Sequence, residues 1–169
     1  MAPSLPPFEA FLDEHAPPVH TFLRGMVGPD EADDCLQETF LAALRAYPRA
    51  QPQNLRAWVL TIARRKAVDH HRARARRATP VADPPGDRSA DRTSTDSLGM
   101  PVRDSAIWAA VGELPSRQRA AVVLRFAVDL RYREVGTALG CSEEAARRSV
   151  HEGLNKLRRT ATELREELT

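Results

Sequence analysis

Apolar positions return at helical spacing in two separate stretches of the chain, one ending near Arg77 and the other running from Leu114 to Leu157. In the first, Pro29-Asp30 offers a helix start, Leu36, Phe40, Ala43, Leu44 and Tyr47 recur every three or four residues, and Pro48 supplies the stop. That face is the expected core. The other face carries Asp34, Gln37, Glu38 and Leu41, an acidic stripe with an exposed leucine in it. A solvated surface and a protein-docking stripe both account for such a face. The next helix is expected from about Asn54 to Arg77, with Leu55, Trp58, Val59, Ile62 and Ala63 turned inward. Trp58 is read as a core residue because it shares the apolar face, although an isolated tryptophan also suits base stacking.

In the second stretch Leu114-Pro115 opens a helix that continues through Ala121, Val122, Leu124 and Arg125 and ends near Ala127. A second helix is expected over Tyr132–Leu139. Gly140-Cys141-Ser142 is a short turn that places Ser142 at the N-cap of a third helix, Glu143 to Arg159. This is the layout of a helix-turn-helix, in which the helix after the turn enters the major groove and its early residues reach base edges. Glu143, Glu144, Arg147, Arg148 and His151 are the residues so nominated. An αα-hairpin unrelated to DNA carries similar punctuation.

Between the stretches, Thr79 to Asp104 holds four prolines, two glycines, scattered Asp and Ser, and no aromatic residue. Too little apolar surface is available there to offset the cost of ordering, so a flexible linker is expected. Its 26 residues reach about 25 to 30 Å. The fold class is therefore all-α, two small helical domains joined by a flexible segment.

The formal charge of +2 is unremarkable until it is divided along the chain. Residues 1–55 hold eight acidic against three basic side chains, a net −5, whereas residues 56–78 hold eight basic against Asp69 alone, a net +7. Seven of those eight cations fall between Arg64 and Arg77. Basic residues near a helix C-terminus suit the macrodipole, but this is more than capping requires. Each phosphate they neutralised would release counterions and make affinity fall steeply with salt. Nucleic acid is the better reading for that end of the helix.

The chemistry of catalysis has no candidate constellation. His15, His20, His70, His71 and His151 show no metal-binding spacing, and adjacent His70 and His71 point about 100° apart on a helix. Phosphate-binding loops, nucleophile elbows and dinucleotide fingerprints are lacking, so neither an enzyme nor a cofactor or metal site is expected. Cys35 and Cys141 stand far apart and are read as small core-filling residues. The N-terminus lacks a basic segment followed by an apolar one, and the longest apolar run, Ala120 to Leu124, is far below the roughly 20 residues of a membrane span. A soluble, cytoplasmic protein without membrane insertion is expected.

Asp33-Asp34-Cys-Leu-Gln37-Glu38-Thr-Phe40, Trp58-Val-Leu-Thr-Ile62-Ala63-Arg64 with Asp69-His70-His71-Arg72, and Leu114-Pro115 through Leu157 together resemble conserved regions two and four of the small bacterial sigma factors of the extracytoplasmic-function group. The resemblance covers roughly Phe8 to Arg77 and Ser105 to Leu164. It implies a region-two domain over 6–78, a linker over 79–104 and a region-four domain over 105–166. It also implies a protein that binds core RNA polymerase and directs it to promoter DNA, the first domain opening the minus-ten element and the second reading the minus-thirty-five element. On that resemblance Asp34, Gln37, Glu38 and Leu41 dock on the polymerase, and the loop Arg49 to Asn54 receives a flipped base. Asn54, Arg64, Arg65, Lys66, His70, Arg72, Arg76 and Arg77 face the opened strand, while Ser142, Glu143, Arg147, Arg148 and His151 face the upstream duplex. An anti-sigma protein that masks both domains is a further expected partner.

The chain departs from the family pattern in several places. Arg65 stands where Asn is common, which suggests an unusual minus-ten preference. Ala145-Ala146-Arg147-Arg148-Ser149 replaces the usual Thr-Val-Lys-Ser-Arg, and Glu152 and Leu154 fall where basic residues are usual. Fewer phosphate contacts along that helix, and reliance on Arg147 and Arg148, are the expectation. Gly136 replaces Ala, at a cost in helix propensity of about 1 kcal/mol. Pro17-Pro18 is expected to break or kink the first helix near Ala16. Two other functions stay open: a stand-alone DNA-binding regulator, and an adaptor that docks on polymerase without reading DNA.

Overall fold

The computed structural model describes residues 5–50, 53–78 and 102–167. Every regular element among them is helical. The first module is α1 (Phe8–Val27), α2 (Pro29–Ala46), a single 3₁₀ turn (Tyr47–Arg49) and α3 (Leu55–Arg77). The second is α4 (Val102–Gly112), α5 (Ser116–Val122) running into a π turn (Val123–Ala127), α6 (Tyr132–Leu139) and α7 (Glu143–Glu167). Most of the expected linker lies outside the described residues; its last three, Val102 to Asp104, already belong to α4.

Contrary to the expected break, α1 continues through Pro17 and Pro18. The two prolines withdraw donors from the carbonyls of Asp13 and Glu14, both exposed residues, so the lost bonds fall on the solvent side of the helix. The chain then reverses on one residue. Gly28 adopts φ 90°, open to glycine at little cost, and Pro29 follows at the first position of α2, where a missing N–H is no loss.

Phe11, Phe22, Leu23, Met26 and Leu60 are fully buried where α1, α2 and α3 meet. Around Phe11 gather Phe8, Phe40, Tyr47 and Trp58, with ring centroids 5.0 to 6.0 Å away in tilted or edge-on arrangements that suit their quadrupoles. Tyr47 buries its ring and donates its hydroxyl to the Pro6 carbonyl at 2.8 Å, pinning the segment before α1. Val59 and Ala63 face inward as expected, whereas Leu55, Trp58 and Ile62 are half-buried. Ala57, Leu60 and Ala67 are buried as well, because α3 is covered from more than one side.

In the second module Pro115 caps α5, and the chain widens into the π turn, closed by Val128 N–H donating to the Val123 carbonyl. Asp129 follows at φ 59°, a left-handed conformation that aspartate tolerates better than most residues. α6 has the expected bounds. It ends on Gly140 at φ 65°, while Cys141 N–H returns to the Gly136 carbonyl at 2.9 Å, and Ser142 Oγ accepts from Ala145 N–H at 3.1 Å to start α7. α7 continues past the expected end at Arg159 to Glu167.

The two modules pack on each other. α3 lies against α6, and α1 lies against α5 and the π turn, so that the buried residues form one continuous core. Arg119 reaches from α5 to donate Nη1–H to the Met26 carbonyl at 3.0 Å, while Nη2 serves the carbonyls of Gly112 and Leu114. Gly25 sits so close to the second module that a Cβ there would meet Val123 at 2.8 Å and Trp108 at 2.9 Å.

His15 is buried with its ring 4.8 Å from Phe11. Burial lowers its pKa below 6.5 and nearby Arg56 adds to that, while Glu14 opposes both. An unfolded chain therefore takes up this proton at higher pH than the folded one. The stability His15 contributes is complete above 6.5 and declines as pH falls from there toward the lower folded value. The melting temperature should fall from pH 7 to pH 5, and in His15→Gln that decline should be shallower over the same interval.

Candidate nucleic-acid interface

α3 starts on Asn54, whose Oδ1 accepts from Ala57 N–H at 2.9 Å. Residues 51 and 52, in the loop expected to receive a base, lie outside the described residues. Along α3, Arg65, Arg72, Arg74, Arg76 and Arg77 are exposed and Arg64 and Lys66 half-buried. The cations thus form a surface, densest toward the free C-terminal end. Arg76 and Arg77 lie back along their own helix, their Nε–H groups near the carbonyls of Arg72 and Ala73 at 3.4 Å.

His70 is placed differently from the expectation. It is half-buried against α2, with Nε2 3.6 Å from Glu31 Oε2, while the adjacent His71 bonds the Met26 carbonyl at 2.8 Å. These histidines brace α3 against its neighbours rather than joining the basic surface.

The acidic stripe of α2 is present, and it borders a groove. Asp34, Gln37, Glu38 and Leu41 are exposed. Leu44, expected in the core, is 48% exposed, as is Leu41. Leu44 lies one turn from both Phe40 and Leu41, and the neighbouring helices cover Phe40 while leaving the two leucines open. The two leucines, with Phe8, Leu12, Leu36 and Phe40, line an open apolar groove of about 490 Å³ edged by Asp33, Asp34 and Gln37. The i, i+3 spacing of Leu41 and Leu44 was the available signal for the second leucine. Within the same helix Cys35 is buried; burial, then Glu38, Glu31 and Asp34, push its thiol up to about 11, so it stays an inert core group.

On the helix-turn-helix, Glu143, Arg147, Arg148 and His151 are exposed on the first turns of α7, beside the Ser142 cap. Arg147 bonds Glu143 Oε1 at 2.8 Å and lies over the Tyr132 ring at 4.8 Å, so its guanidinium is held in place by two neighbours. Arg148 makes no side-chain bond among the described residues. The departures further along α7 have packing reasons. Glu152 accepts from Gln118 of α5 at 3.1 Å, and Leu154 is half-buried against the core.

One feature that local sequence patterns do not contain is a cleft of about 660 Å³ between α3 and α6, lined by Gln53, Asn54, Trp58, Thr61, Ile62 and Arg65 on one side and Arg131, Arg133, Glu134 and Thr137 on the other. Asn54 Nδ2 donates to Glu134 Oε1 across it at 2.9 Å. Glu134 Oε2 accepts Arg131 N–H at 2.9 Å and so caps α6. That backbone bond lowers the Glu134 pKa below 4.5 against the effect of burial; the Asn54 amide and the charges of Arg56 and Arg131 lower it further. No local signal pairs positions eighty residues apart. Among the described residues no cluster of His, Cys, Asp or Glu is placed to hold a metal ion, and no helix is long and apolar enough to cross a membrane.

A basic helix and a helix-turn-helix on one all-helical chain are the features of a DNA-binding protein. Family models agree on both modules: sigma-70 region 2 matches residues 11–77 and sigma-70 region 4 matches residues 104–157. RNA polymerase sigma factor CarQ of Myxococcus xanthus is 34% identical over 168 residues, spanning 93% of this chain and 90% of that protein. ECF RNA polymerase sigma factor ShbA of Streptomyces griseus is 37% identical over 137 residues, 76% of this chain and 71% of that protein. Among solved structures, the sigma factor RpoE in complex with the anti-sigma factor NepR from Bartonella quintana superposes with a TM-score of 0.70 at 24% identity, covering 92% of this chain and 96% of that one. CnrH, in complex with the cytosolic domain of CnrY, gives 0.69 at 23%, covering 92% and 87%. These two likenesses concern the fold. The chain belongs to the sigma-70 family, in its extracytoplasmic-function group. It is a sigma factor, directing core RNA polymerase to promoters, and the first module, which a stand-alone regulator would leave without a task, is the family's region two.

Gly136 packs against the turn: a Cβ there would meet the Cys141 carbonyl at 2.8 Å and Ser142 backbone at 3.2 Å. Gly136→Ala gains about 1 kcal/mol of helix propensity but forces backbone apart at a cost of about 1 to 3 kcal/mol. A lower urea midpoint is the expected outcome.

Proposed function

We propose that three surfaces divide the work of this sigma factor. The groove of α2, with Asp34, Gln37, Glu38 and Leu41 joined by Leu44, docks on core RNA polymerase. Its apolar floor supplies area and its acidic edge supplies orientation toward a basic partner. The α3 surface, with Asn54, Arg64, Arg65, Lys66, Arg72, Arg76 and Arg77, takes the opened minus-ten strand; His70 supports it from behind. The first turns of α7, with Ser142, Glu143, Arg147, Arg148 and His151, read the minus-thirty-five duplex. The carrying observation is the separation of charge: the acidic edge of the groove lies on α2 and the cations on α3 and α7, so polymerase and phosphate are not asked to share a surface.

Arg148, free of side-chain partners, is suited to a phosphate or a base edge. Arg147, held over Tyr132 and paired with Glu143, is suited to a fixed direction of approach. The chain works without an enzymatic step, in the cytoplasm, and a protein that masks its DNA-binding faces is its natural regulator; the similarly folded RpoE of Bartonella quintana is in complex with the anti-sigma factor NepR.

Replacing Arg147 and Arg148 together by Ala should weaken promoter binding about ten- to a hundredfold and lower the salt dependence by one to two ion equivalents, at about 1 to 3 kcal/mol per contact. Capture by core polymerase should be unchanged. Charge reversal at Asp34 and Glu38 should do the opposite, reducing capture by about tenfold or more because like charges are brought together. Equal losses in a gel-shift assay and a polymerase pull-down for both variants would refute the division.

A further inference from the structure

The cleft between α3 and α6 holds more positive charge than its own residues balance. Arg65 enters it from α3, and Arg131 and Arg133 enter it from the head of α6. None of the three forms an ion pair with another side chain among the described residues. Glu134 is the one carboxylate on the described walls, and its two oxygens are already taken by the Asn54 amide and the Arg131 N–H at 2.9 Å each. Three guanidiniums against one carboxylate leave a net charge of +2. A guanidinium does not shed its proton, so titration cannot relieve that repulsion. The rest of the lining is of another kind. Trp58, half-buried, and Ile62 present an apolar face to the cleft. Thr61 and Thr137 donate their hydroxyls to the carbonyls of Ala57 and Arg133, at 2.8 and 3.1 Å, which leaves each hydroxyl oxygen as an acceptor.

We propose that this cleft is a binding site for a free nucleoside polyphosphate. The polyphosphate lies between Arg65 on one wall and Arg131 and Arg133 on the other, since planar guanidiniums bind phosphate oxygens two at a time. The base stacks on Trp58, and the hydroxyl oxygens of Thr61 and Thr137 accept from the sugar or the base. The volume of about 660 Å³ falls within the range of small-ligand sites, about 300 to 1,000 Å³, and a cleft where two modules meet is a common place for one. A bare phosphate would leave the indole face unused, and an apolar ligand would leave the charges unbalanced. A nucleotide satisfies both. Arg131 and Arg133 belong neither to the α3 surface nor to the first turns of α7, the faces proposed for promoter DNA, so the site goes beyond promoter reading and stands without it.

The test is titration of the purified full chain with GTP and, separately, with ATP. Calorimetry on the wild-type chain should show saturable binding of one nucleotide per chain in the micromolar range. Trp58 and Trp108 are the two tryptophans, so a Trp108→Phe variant leaves Trp58 alone to report, and its emission should be quenched as the nucleotide binds. Inorganic tripolyphosphate should bind at least about tenfold more weakly and leave the emission unchanged, because it lacks the stacked base. Replacing Arg131 and Arg133 together by Ala should weaken nucleotide binding about tenfold or more. The cap that Glu134 gives Arg131 uses the backbone N–H and survives that change. Replacing Arg158 and Arg159, exposed farther along α7, removes the same charge and should leave nucleotide affinity as it was. No saturable binding of either nucleotide overturns the proposal. Tripolyphosphate binding as tight as nucleotide marks a general anion site, and equal losses from both arginine pairs mark loose attraction to net charge; each overturns it as well. So does a single-stranded oligonucleotide that binds more tightly than either nucleotide and depends equally on Arg131 and Arg133, which marks the cleft as a nucleic-acid groove.

Discussion

Each half of this chain is near the smallest size at which a helical unit covers its own core. The first described module runs from residue 5 to 78 and the second from 102 to 167. At such lengths a domain buries only about 60% of the surface its unfolded chain exposes, and stability is marginal. Helices with alanine at many inward positions, such as Ala57, Ala63 and Ala67 on α3 or Ala120 and Ala121 on α5, come close together but bury little area apiece. The modules make up part of the shortfall from each other. Gly25 and Met26 of α1 meet the α5 and π-turn surface, and α3 is covered by α6 on a side that its own module leaves open.

The polar contacts at that seam concentrate at the starts of helices. The first N–H groups of a helix lack partners in their own ladder and must find them elsewhere. Asn54 uses Oδ1 for Ala57 N–H at the head of α3 and Nδ2 for Glu134; Glu134 uses Oε2 for Arg131 N–H at the head of α6 and Oε1 for Asn54. One amide and one carboxylate thereby fix two helix starts and the joint between them.

The helices, the turn at Gly140-Cys141-Ser142 and the charge division were legible because each rests on signals within a few residues: apolar spacing, caps, and the sign of neighbouring side chains. Tyr132–Leu139 came out with the observed bounds since Gly140 and Ser142 mark a C-terminus and an N-terminus by local conformation alone. Pro17-Pro18 misled for the opposite reason. Local rules predict a break or kink, but Asp13 and Glu14, whose carbonyls lose their donors, are exposed to solvent, and the packing of Phe11, Val19 and Phe22 on both sides of the prolines keeps the helix unbroken. Leu44 misled because a helical face is wider than its core stripe, and which edge is covered depends on the neighbouring helix. Glu152 and Leu154 stand where the family pattern has basic residues, but Glu152 accepts from Gln118 of α5 and Leu154 packs against the core, which depends on how α7 is rolled in its module. The cleft between α3 and α6 depends on partners eighty residues apart, and no pattern within either stretch contains it.

The sorting of charge acquires a second meaning once the modules are seen together. The cations that crowd α3 are not spread evenly with respect to the joint: Arg72, Arg74, Arg76 and Arg77 are exposed at the end remote from Asn54, while Arg65 lies in the cleft under Arg131 and Arg133. Guanidinium groups gathered in a cleft of this kind repel one another, and Glu134 is the carboxylate facing them there. The Asn54 amide and the Arg131 backbone N–H occupy both oxygens of that carboxylate, so its hydrogen bonds fix the helix starts while its charge offsets the cations around it.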